Sequence, residues 1–472
     1  MKKNNDFHTQ LTLLHELAEE FSQPRPVSHG LSATELKSLL DFSLTDEAAD
    51  PALLKEAAGF FLKYNPDVSQ SAFYKLLYSG VNKPALLGDW VAVLSNANMH
   101  TFQMSPVATL MELELIKKWN SLIGFEHGDG VMLTGGSQGN LIAMMLARAS
   151  KAPGSKKNGL QGKTLVAYVS DQAHYSNLRA ANVLGIGEDN LLSVATDQDG
   201  CIIPEQLDTA IRQSIDQGHT PFYIGLTSGT TVVGAFDPIG PCAEIARRYG
   251  LWLHVDGAWG APVLFSDKYR HYMDGVERAD SFSWDMHKLI NVPLTAAGIQ
   301  VREAGFLKEA IAGGGGDYLF HADENADFNL GERSIQCGRR ADALKAWMSW
   351  KAAGTLGYAD KLDRLQDLKS YCVEQLTAHP DFTLLGPSGY LNILFRYEPR
   401  AGLDEAQLRQ LTIAICKQLR NTGQAFVDYA NFKGRSGIRL ILANGEAGKG
   451  DIDKLIGNCK TAGESIIKAG LI

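Results

Sequence analysis

The sequence predicts an α/β protein built around a mostly parallel sheet, and two observations carry that prediction. From about residue 105 onward, short apolar runs alternate with amphipathic helical stretches. The apolar runs are continuous rather than alternating in polarity, which is typical of strands buried on both faces. The chain has 472 residues, of which 45% are hydrophobic and 21% charged, and a chain of this length usually forms two or three domains.

Residues 1–95 are predicted to form a helical N-terminal segment. Amphipathic stretches such as FHTQLTLLHELAEEF are joined by polar connections such as SQPRPVSHGLS, and no strand pattern is evident. Because such helices cannot bury their apolar faces alone, we expect the segment to pack on another domain or on a partner subunit. Polar residues interrupt the first helix, which argues against a signal peptide. No stretch approaches 18 uninterrupted apolar residues, so no membrane-spanning helix is expected.

A large domain is predicted over residues 96–365. Its first helix starts with Ser105 as N-cap and Pro106 at the first helical position. The predicted strands are VMLTGG, TLVAYVS, PFYIGLTS, LWLHVDGA and SFSW, with helices such as NLIAMMLARAS and PIGPCAEIARRYG between them. A strong helix, ADALKAWMSWKAAG, lies near residues 340–355. Residues 366–472 are predicted to form a smaller α+β domain with the strands YLNILFRY and SGIRLILAN.

Charge and cysteine usage exclude several classes of function. The net charge of −8 and the isoelectric point near 5.9 argue against a nucleic-acid-binding scaffold. The six cysteines are scattered and show neither a CxxC pair nor a metal-like spacing. We therefore expect free thiols, no metal site and a cytoplasmic protein.

Five polar residues fall where predicted strands end, which is where ligands bind in open α/β sheets. They are Ser137, His174, Thr230, Asp256 and Lys288. The first lies in TGGSQGN, a turn from strand to helix, where glycines let backbone N–H groups approach an anion and the helix N-terminus favours negative charge. A tight turn without a ligand explains this motif equally well.

The other motifs are also individually weak. Asp256 in HVDGAWG ends an apolar strand, and a buried carboxylate needs a partner such as a cationic cofactor nitrogen, although a turn aspartate is the commoner case. His174 in SDQAHYSN could stack on an aromatic ring or carry a proton, although most single histidines are structural. Thr230 and Thr231 in LTSGTTVVGAFDPI could bind a ligand or belong to an ordinary polar loop.

Lys288 in SFSWDMHKLINVP lies among apolar residues. A desolvated lysine amine is a nucleophile, whereas a lysine near apolar residues is more often a surface residue with its ammonium in water. Taken together, an anion-binding turn, a ring-facing histidine, a carboxylate for a pyridine nitrogen and a covalent lysine describe a pyridoxal phosphate site.

The sequence resembles the group II pyridoxal-phosphate-dependent amino-acid decarboxylases, and within them the glutamate and cysteine sulfinate decarboxylase branch. The resemblance runs from about residue 70 to the end. It is carried by NANMHTFQMSPVATLMELE, TGGSQGNLIAMMLAR, SDQAHYSN, TSGTTVVGAFDPI, LWLHVDGAWG, ERADSFSWDMHKLINVPL, GDYLFH, GERSIQCGRRADALKAWMSWKA and GIRLILAN. It implies the fold-type I, aminotransferase-like fold with a seven-stranded sheet, and a homodimer with its active site at the subunit interface.

The resemblance also implies residue roles. Lys288 would bind the cofactor covalently, Asp256 would keep the pyridine nitrogen protonated, and His174 would stack on the ring. Tyr318, in a glycine-rich segment that suits a mobile loop, would return a proton to the substrate carbon. Arg439 would bind the substrate carboxylate, although alternation along its strand also allows a solvent-facing arginine. The remaining implied cofactor ligands are Gly136, Ser137, Gln138, Thr231, Ala258 and His287, and the remaining implied substrate contacts are His100 and Thr101.

Two departures from the family pattern bear on the substrate. Asp285 and Met286 stand where the family usually has Asn-Pro, so a negative charge either meets His287 or points away from the phosphate. His100 stands where the branch commonly has Phe or Tyr. The sequence therefore predicts decarboxylation of an L-amino acid, with an acidic one (glutamate, aspartate, cysteine sulfinate or cysteate) as first choice.

Other functions remain open at the level of sequence. The substrate could be an aromatic or aliphatic amino acid, or the enzyme could form an aldehyde or act like a transaminase. Retention of Tyr318 favours simple decarboxylation, because aldehyde-forming relatives tend to have Phe there. A non-catalytic member of the family or a simple anion-binding protein would leave Lys288 and Asp256 unexplained.

Overall fold

The computed structural model describes residues 6–313, 318–321, 323–399 and 402–470. In these residues the α-helices are α1 Asp6–Phe21, α2 Ala33–Leu39, α3 Pro51–Tyr64, α4 Lys83–Ser95, α5 Pro106–Ile123, α6 Gly136–Lys151, α7 Ser155–Asn158, α8 Ser176–Val183, α9 Pro204–Asp216, α10 Ile239–Tyr249, α11 Phe306–Ile311, α12 Asp342–Ala378, α13 Glu405–Asn421 and α14 Lys449–Lys468. The strands are β1 Asp129–Leu133, β2 Leu165–Ser170, β3 Leu191–Val194, β4 Thr220–Thr227, β5 Trp252–Asp256, β6 Ser281–Asp285, β7 Ala297–Val301, β8 Phe382–Leu384, β9 Asn392–Tyr397, β10 Asp428–Phe432 and β11 Arg435–Ile441.

The larger sheet has seven strands in the order β1-β7-β6-β5-β4-β2-β3. The neighbouring strands from β6 to β3 are parallel, and β7 runs antiparallel to both β1 and β6. All residues of β1, β2, β6 and β7 are buried, as expected of strands covered on both faces. This confirms the predicted fold class, a mostly parallel seven-stranded sheet accompanied by a smaller sheet.

Two strands of this sheet were not predicted. In β3 only Val194 is buried, so the strand lacks a continuous apolar run. In β7 the residues Gly298 and Gln300 interrupt the apolar run AGIQV, although the whole strand is buried between β1 and β6. The short strands β8 and β10 of the smaller sheet, whose order is β10-β11-β9-β8, were also missed.

One predicted helix cap and two helix boundaries differ from the predictions. Helix α5 begins at Pro106 as predicted, but the Ser105 side chain makes no capping hydrogen bond, because its backbone (φ −150°, ψ 61°) is not in the usual extended capping conformation. Helix α6 begins within the glycine-rich turn, at Gly136 rather than Asn140. Helix α12 extends far beyond the predicted stretch and is kinked at Gly354, whose φ of 63° favours glycine.

The chain forms two compact units. One comprises residues 80–373 and 386–394 and contains the seven-stranded sheet. The other comprises residues 1–79, 374–385 and 395–472. The division into three parts with boundaries at residues 95 and 365 stays a prediction. No helix in the described ranges is long and apolar enough to cross a membrane.

Within the second unit, the N-terminal segment packs on the C-terminal part of the chain. The Val27 amide donates to the Gly423 carbonyl at 3.2 Å, and the rings of Phe73 and Phe426 stack with centroids 5.1 Å apart. The segment therefore buries part of its apolar surface within its own unit.

A buried ion pair in the first unit anchors the segment that carries His100 to the edge of the large sheet. Arg339 pairs with Glu112, and both side chains are almost fully buried. The guanidinium also donates to the carbonyls of Met99 and Met132, each at 3.2 Å, and Glu112 accepts from the Met132 amide at 2.8 Å. The pair thereby links the chain around Met99 to β1.

We expect Arg339→Met to lower the free energy of unfolding by about 3–5 kcal/mol, because it leaves a buried carboxylate without its cation. Urea unfolding at fixed protein concentration measures this. The adjacent Arg340, whose partly exposed side chain pairs with Asp89 at 2.8 Å, is the matched control, and Arg340→Met is expected to cost less than about 1 kcal/mol. Equal losses in the two variants would show that burial of the pair is unimportant.

Candidate active site

Most of the polar residues singled out in the sequence lie at the carboxyl ends of the parallel strands of the large sheet. Strands β4, β5 and β6 are parallel, and β1 has the same direction because β7 is antiparallel to both β1 and β6. Their carboxyl ends, Leu133, Thr227, Asp256 and Asp285, therefore lie at the same edge. The turn to α6 and the Lys288 segment both leave the sheet there.

The glycine-rich turn after β1 forms a cradle at the N-terminus of α6. A Cβ atom on Gly136 would lie 2.9 Å from the Cβ of Ala258 and 3.2 Å from the Oδ2 of Asp285, so only glycine fits without a shift. The backbone N–H and the hydroxyl of Thr134 both donate to Oε1 of Gln138, at 3.0 and 2.9 Å, which fixes the turn. The N-cap residue of α6 is Gly135, which has no side chain to cap the helix, so the first N–H groups of the helix can bind an anion.

Lys288 lies just beyond β6 and makes an ion pair with Asp285. The distance from Nζ to Oδ2 is 3.1 Å, and the lysine side chain is 21% exposed whereas the aspartate side chain is 3% exposed. His287 Nε2 lies 3.6 Å from the same oxygen. Of the two alternatives for Asp285, its carboxylate therefore faces His287 and Lys288 rather than pointing away.

The ring of His287 is held from its other side, because Nδ1 lies 2.9 Å from the Ala296 carbonyl oxygen. Burial lowers the pKa of His287, and the Asp285 carboxylate opposes that shift. The second oxygen of Asp285, Oδ1, is buried and has no hydrogen-bond partner in the described part of the chain.

Asp256 ends β5 and is almost buried. Its Oδ2 accepts a hydrogen bond from Nδ2 of Asn140 at 2.8 Å, and its Oδ1 accepts one from the Ala258 amide at 3.0 Å. Both donors are neutral. A buried carboxylate with neutral donors only is suited to a cationic ligand nitrogen.

His174 lies in the same cluster, on the turn before α8. Its Nδ1 is 2.8 Å from the Ser176 hydroxyl. Burial lowers the pKa of His174, and the charges of Asp256, Lys288 and Asp285 all act on it. The Ser176 hydroxyl also accepts from Nδ2 of Asn140 at 2.9 Å, and the same Nδ2 donates to Oδ2 of Asp256 at 2.8 Å, so two side chains connect His174 to Asp256.

Thr231 lies on the loop after β4, and Asn392 connects this loop to the segment that follows β5. The Asn392 amide donates to the Thr231 carbonyl at 3.0 Å, while its oxygen accepts from the Trp259 indole at 2.8 Å. The backbone of this loop is thus fixed beside the chain that carries Asp256.

The other predicted residues are not gathered into this cluster by contacts of the described residues. Tyr318 lies in a turn next to residues 314–317, which are outside the described ranges, and its side chain is 73% exposed. Thr101 is buried, and the half-buried His100 has an Nδ1 without a hydrogen-bond partner among the described residues. Arg439 belongs to the other unit, where it donates to the Lys75 carbonyl; burial lowers its pKa, and Asp428 opposes that shift.

Two residues of the cluster were missed in the sequence. Asn140 is the last residue of TGGSQGN, and His254 precedes Asp256 by two positions in HVDGAWG. Residues two apart on a strand point to the same face, so the spacing of His254 and Asp256 was a usable signal. The side chain of Asn140 gave no comparable signal, because its orientation depends on where α6 begins.

These residues fit pyridoxal phosphate. The cradle at Gly136 suits a phosphate, and the neutral donors around Asp256 leave it free to pair with a pyridinium nitrogen. Lys288 presents an amine 3.1 Å from Asp285, whose carboxylate also lies beside Gly136. This is the arrangement of a pyridoxal-phosphate enzyme of the α/β class.

Comparisons with known proteins identify the family. The model of the pyridoxal-dependent decarboxylase conserved domain matches residues 34–398. The chain is 35% identical to cysteine sulfinic acid decarboxylase from Mus musculus over 92% of this chain and 90% of that protein. It is 34% identical to acidic amino acid decarboxylase GADL1 from Homo sapiens over 92% of this chain and 85% of that protein. A crystal structure of mouse CSAD superposes with a TM-score of 0.93 at 31% identity, covering 97% of this chain and 99% of that one.

The chain belongs to the pyridoxal-dependent decarboxylase family. It is a pyridoxal-phosphate-dependent amino-acid decarboxylase, as the sequence predicted.

Proposed function

We propose that the enzyme decarboxylates an acidic L-amino acid, such as cysteine sulfinate, cysteate, aspartate or glutamate, to the corresponding amine and carbon dioxide. The observation that carries this proposal is the substrate class in the names of two relatives, cysteine sulfinic acid decarboxylase and acidic amino acid decarboxylase, each aligned over nine-tenths of this chain. The partly buried guanidinium of Arg439 is the matching feature of the chain itself.

The test is a direct competition between substrates. The purified protein is incubated with pyridoxal phosphate and an equimolar pool of L-amino acids that includes acidic, aromatic and aliphatic members, and the amines are identified by mass spectrometry. We expect one dominant amine from an acidic precursor. A dominant aromatic or aliphatic amine, or an aldehyde, would overturn the proposal.

The residue roles are part of the same proposal. Lys288 binds the cofactor covalently through Nζ, and Asp256 pairs with the ring nitrogen and keeps it protonated. When bound, the cofactor supplies an electron sink for the bond that breaks between Cα and the carboxylate. His174 and Ala258 would contact the ring and hold its orientation. The phosphate and hydroxyl contacts are assigned to Gly136, Ser137, Gln138, His287 and Thr231.

The substrate side of the site is assigned to four residues. Arg439 is assigned to the second acidic group of the substrate, and His100 and Thr101 are assigned as further substrate contacts. Tyr318 donates a proton from its hydroxyl to Cα after carbon dioxide leaves. An exposed turn suits this role, because a residue that closes over the substrate must be able to move.

The Arg439 assignment predicts a change in KM. Arg439→Gln is expected to raise KM for the preferred acidic substrate by about 10–100-fold with a smaller effect on kcat, because a charged hydrogen bond contributes about 1.5–3 kcal/mol to binding. Arg435 lies on the same strand and is partly exposed, so Arg435→Gln is the matched control. Similar KM values in the two variants would remove Arg439 from the substrate site.

Asp285 predicts a change in cofactor affinity. Its carboxylate lies beside Gly136 and within 3.6 Å of His287, both assigned to the phosphate. Asp285→Asn is therefore expected to lower the dissociation constant of pyridoxal phosphate by about tenfold, because like charges a few ångströms apart repel by one to a few kcal/mol. Absorbance titration measures this, with the exposed Asp267→Asn as control. Weaker binding in Asp285→Asn would mean that the carboxylate assists the cofactor through Lys288.

The proposed assembly is a cytoplasmic homodimer with the active site at the subunit interface. Its support is a set of exposed apolar side chains on α4 and on the first turns of α5. The side chains concerned are Leu87, Trp90, Val91, Val93, Leu94, Val107 and Leu110. Exposed apolar patches of this kind usually mark an interface. Analytical ultracentrifugation tests the assembly, and a monomer at micromolar concentration would contradict it.

A further inference from the structure

A single amide, that of Asn140, joins the two groups proposed to contact the cofactor ring. Its Nδ2 donates to Oδ2 of Asp256 at 2.8 Å and to the hydroxyl of Ser176 at 2.9 Å. That hydroxyl lies 2.8 Å from Nδ1 of His174. Asn140 is 1% exposed and lies in the first turns of α6, the helix whose N-terminus forms the anion cradle.

The orientation of this amide is fixed by chemistry. The carboxylate of Asp256 can only accept, so Nδ2 of Asn140 must face it. Oδ1 of Asn140 then faces Nε2 of His254 at 3.0 Å and accepts its proton. His254 is fully buried, and burial lowers its pKa to about 4, so the ring is neutral at pH 7 with its proton on Nε2.

The series of hydrogen bonds continues on the far side of His254. Its unprotonated Nδ1 lies 2.9 Å from the hydroxyl of Ser281, which must donate to it. That hydroxyl in turn accepts from the indole N–H of Trp252 at 2.9 Å. Each residue in this series therefore donates to the next one, from Trp252 through Ser281, His254 and Asn140 to Asp256. The opposite direction is excluded because the indole N–H of Trp252 cannot accept a hydrogen bond.

The hydrogen bonds of Ser176 also determine the tautomer of His174. The Ser176 hydroxyl accepts from Asn140, so its own hydrogen points to Nδ1 of His174. The Ser176 backbone N–H, which can only donate, faces the same Nδ1 at 3.3 Å. Nδ1 is therefore unprotonated, and the neutral ring carries its proton on Nε2.

We propose that Asn140 is a positioning residue, held in one orientation by His254, that fixes the carboxylate of Asp256 and the tautomer of His174 together. The inference rests on the proposed roles of those two residues at the cofactor ring. The orientation of the cofactor would then also depend on residues behind those that contact it, namely Asn140, His254 on β5 and Ser281 on β6. Neither Asn140 nor His254 touches the cofactor in this assignment.

The test separates a directed hydrogen bond from simple packing by two substitutions at His254. His254→Phe keeps a ring of similar size but removes the donor to Asn140, whereas His254→Gln keeps an N–H donor near the position of Nε2. Each holoenzyme is measured for its pyridoxal phosphate dissociation constant, its visible absorbance spectrum, and kcat and KM. We expect His254→Phe to raise the dissociation constant about tenfold and to shift the absorbance bands, and His254→Gln to stay within about threefold of the wild type.

Asn140→Asp provides a second, independent measurement. It places a carboxylate against that of Asp256, and two carboxylates in contact must share a proton. We expect about 100-fold weaker cofactor binding and a lower kcat with little change in KM. The matched control is Asn177→Ala, another buried asparagine, which donates to the His174 carbonyl but does not contact Asp256, and it is expected to stay within about threefold of the wild type.

The outcomes are distinct. Equal effects of Phe and Gln at residue 254, or wild-type cofactor binding in Asn140→Asp, would overturn the positioning role. These readouts follow the cofactor and do not depend on which amino acid is decarboxylated. Failure to form an amine from acidic amino acids would thus contradict the proposed substrate and leave this inference standing.

Discussion

Lys288→Ala is expected to abolish covalent binding of pyridoxal phosphate and to lower kcat by about 10³-fold or more. Lys288 follows β6 at the carboxyl end of the parallel strands, and its Nζ lies 3.1 Å from the carboxylate of Asp285, which also lies beside Gly136. The proposed covalent attachment through Nζ would hold the cofactor in a fixed geometry. The measurement is the visible absorbance of the protein after gel filtration, together with amine production. An exposed lysine, Lys268, supplies the control, and Lys268→Ala should keep both signals.

The same substitution has a separate effect on stability. It removes the ammonium that lies 3.1 Å from Oδ2 of Asp285, whose other oxygen, Oδ1, is buried without a hydrogen-bond partner among the described residues. The cofactor-free Lys288→Ala protein should therefore lose about 1–3 kcal/mol of unfolding free energy. Adding Asp285→Asn should recover most of this loss without restoring covalent binding. If the double variant recovered activity, Lys288 would not be the covalent residue.

The sequence alone predicts most strands of the large sheet, but it does not predict the contacts between the residues of the site. The five predicted strands of the large sheet are all present. Most of them carry a continuous apolar run, the pattern typical of strands buried on both faces, whereas β6 (SFSW) alternates serine with aromatic residues. Strand β7 was missed because Gly298 and Gln300 break its run, and it is held between β1 and β6 by backbone pairing rather than by apolar side chains alone. Pairing partners of this kind are invisible in a single stretch of sequence.

In the site, the sequence could name residues but not their relations. Lys288 and Asp285 are three residues apart, yet their contact follows from the turn after β6, which no pattern predicted. Asn140 is the last residue of a glycine-rich motif, and its contact with Asp256 spans 116 positions along the chain. Such contacts depend on where parallel strands end together, and sequence spacing carries no information about that distance.

Asp256→Asn is expected to lower kcat by about 10²–10³-fold, because a neutral amide cannot hold a proton on the ring nitrogen as a carboxylate does. The loss should fall on kcat rather than on KM, since the ring nitrogen does not bind the substrate. Steady-state kinetics at saturating pyridoxal phosphate measures both parameters. A proportional rise of KM with unchanged kcat would assign Asp256 to substrate binding instead.

Asp256→Asn should also lower the free energy of unfolding, because of the hydrogen bonds around Asp256. Two donors face its carboxylate, the Asn140 amide and the Ala258 N–H. An asparagine must turn its own NH₂ toward one of them, so one buried donor loses its acceptor at a cost of about 1–3 kcal/mol in unfolding free energy. Replacing Asn140 by aspartate in the same chain restores an acceptor opposite that NH₂ and should recover stability. The double variant should not recover kcat, because its negative charge would lie on residue 140 and not beside the ring nitrogen. Recovery of stability without recovery of kcat would show that the role of Asp256 is electrostatic rather than structural.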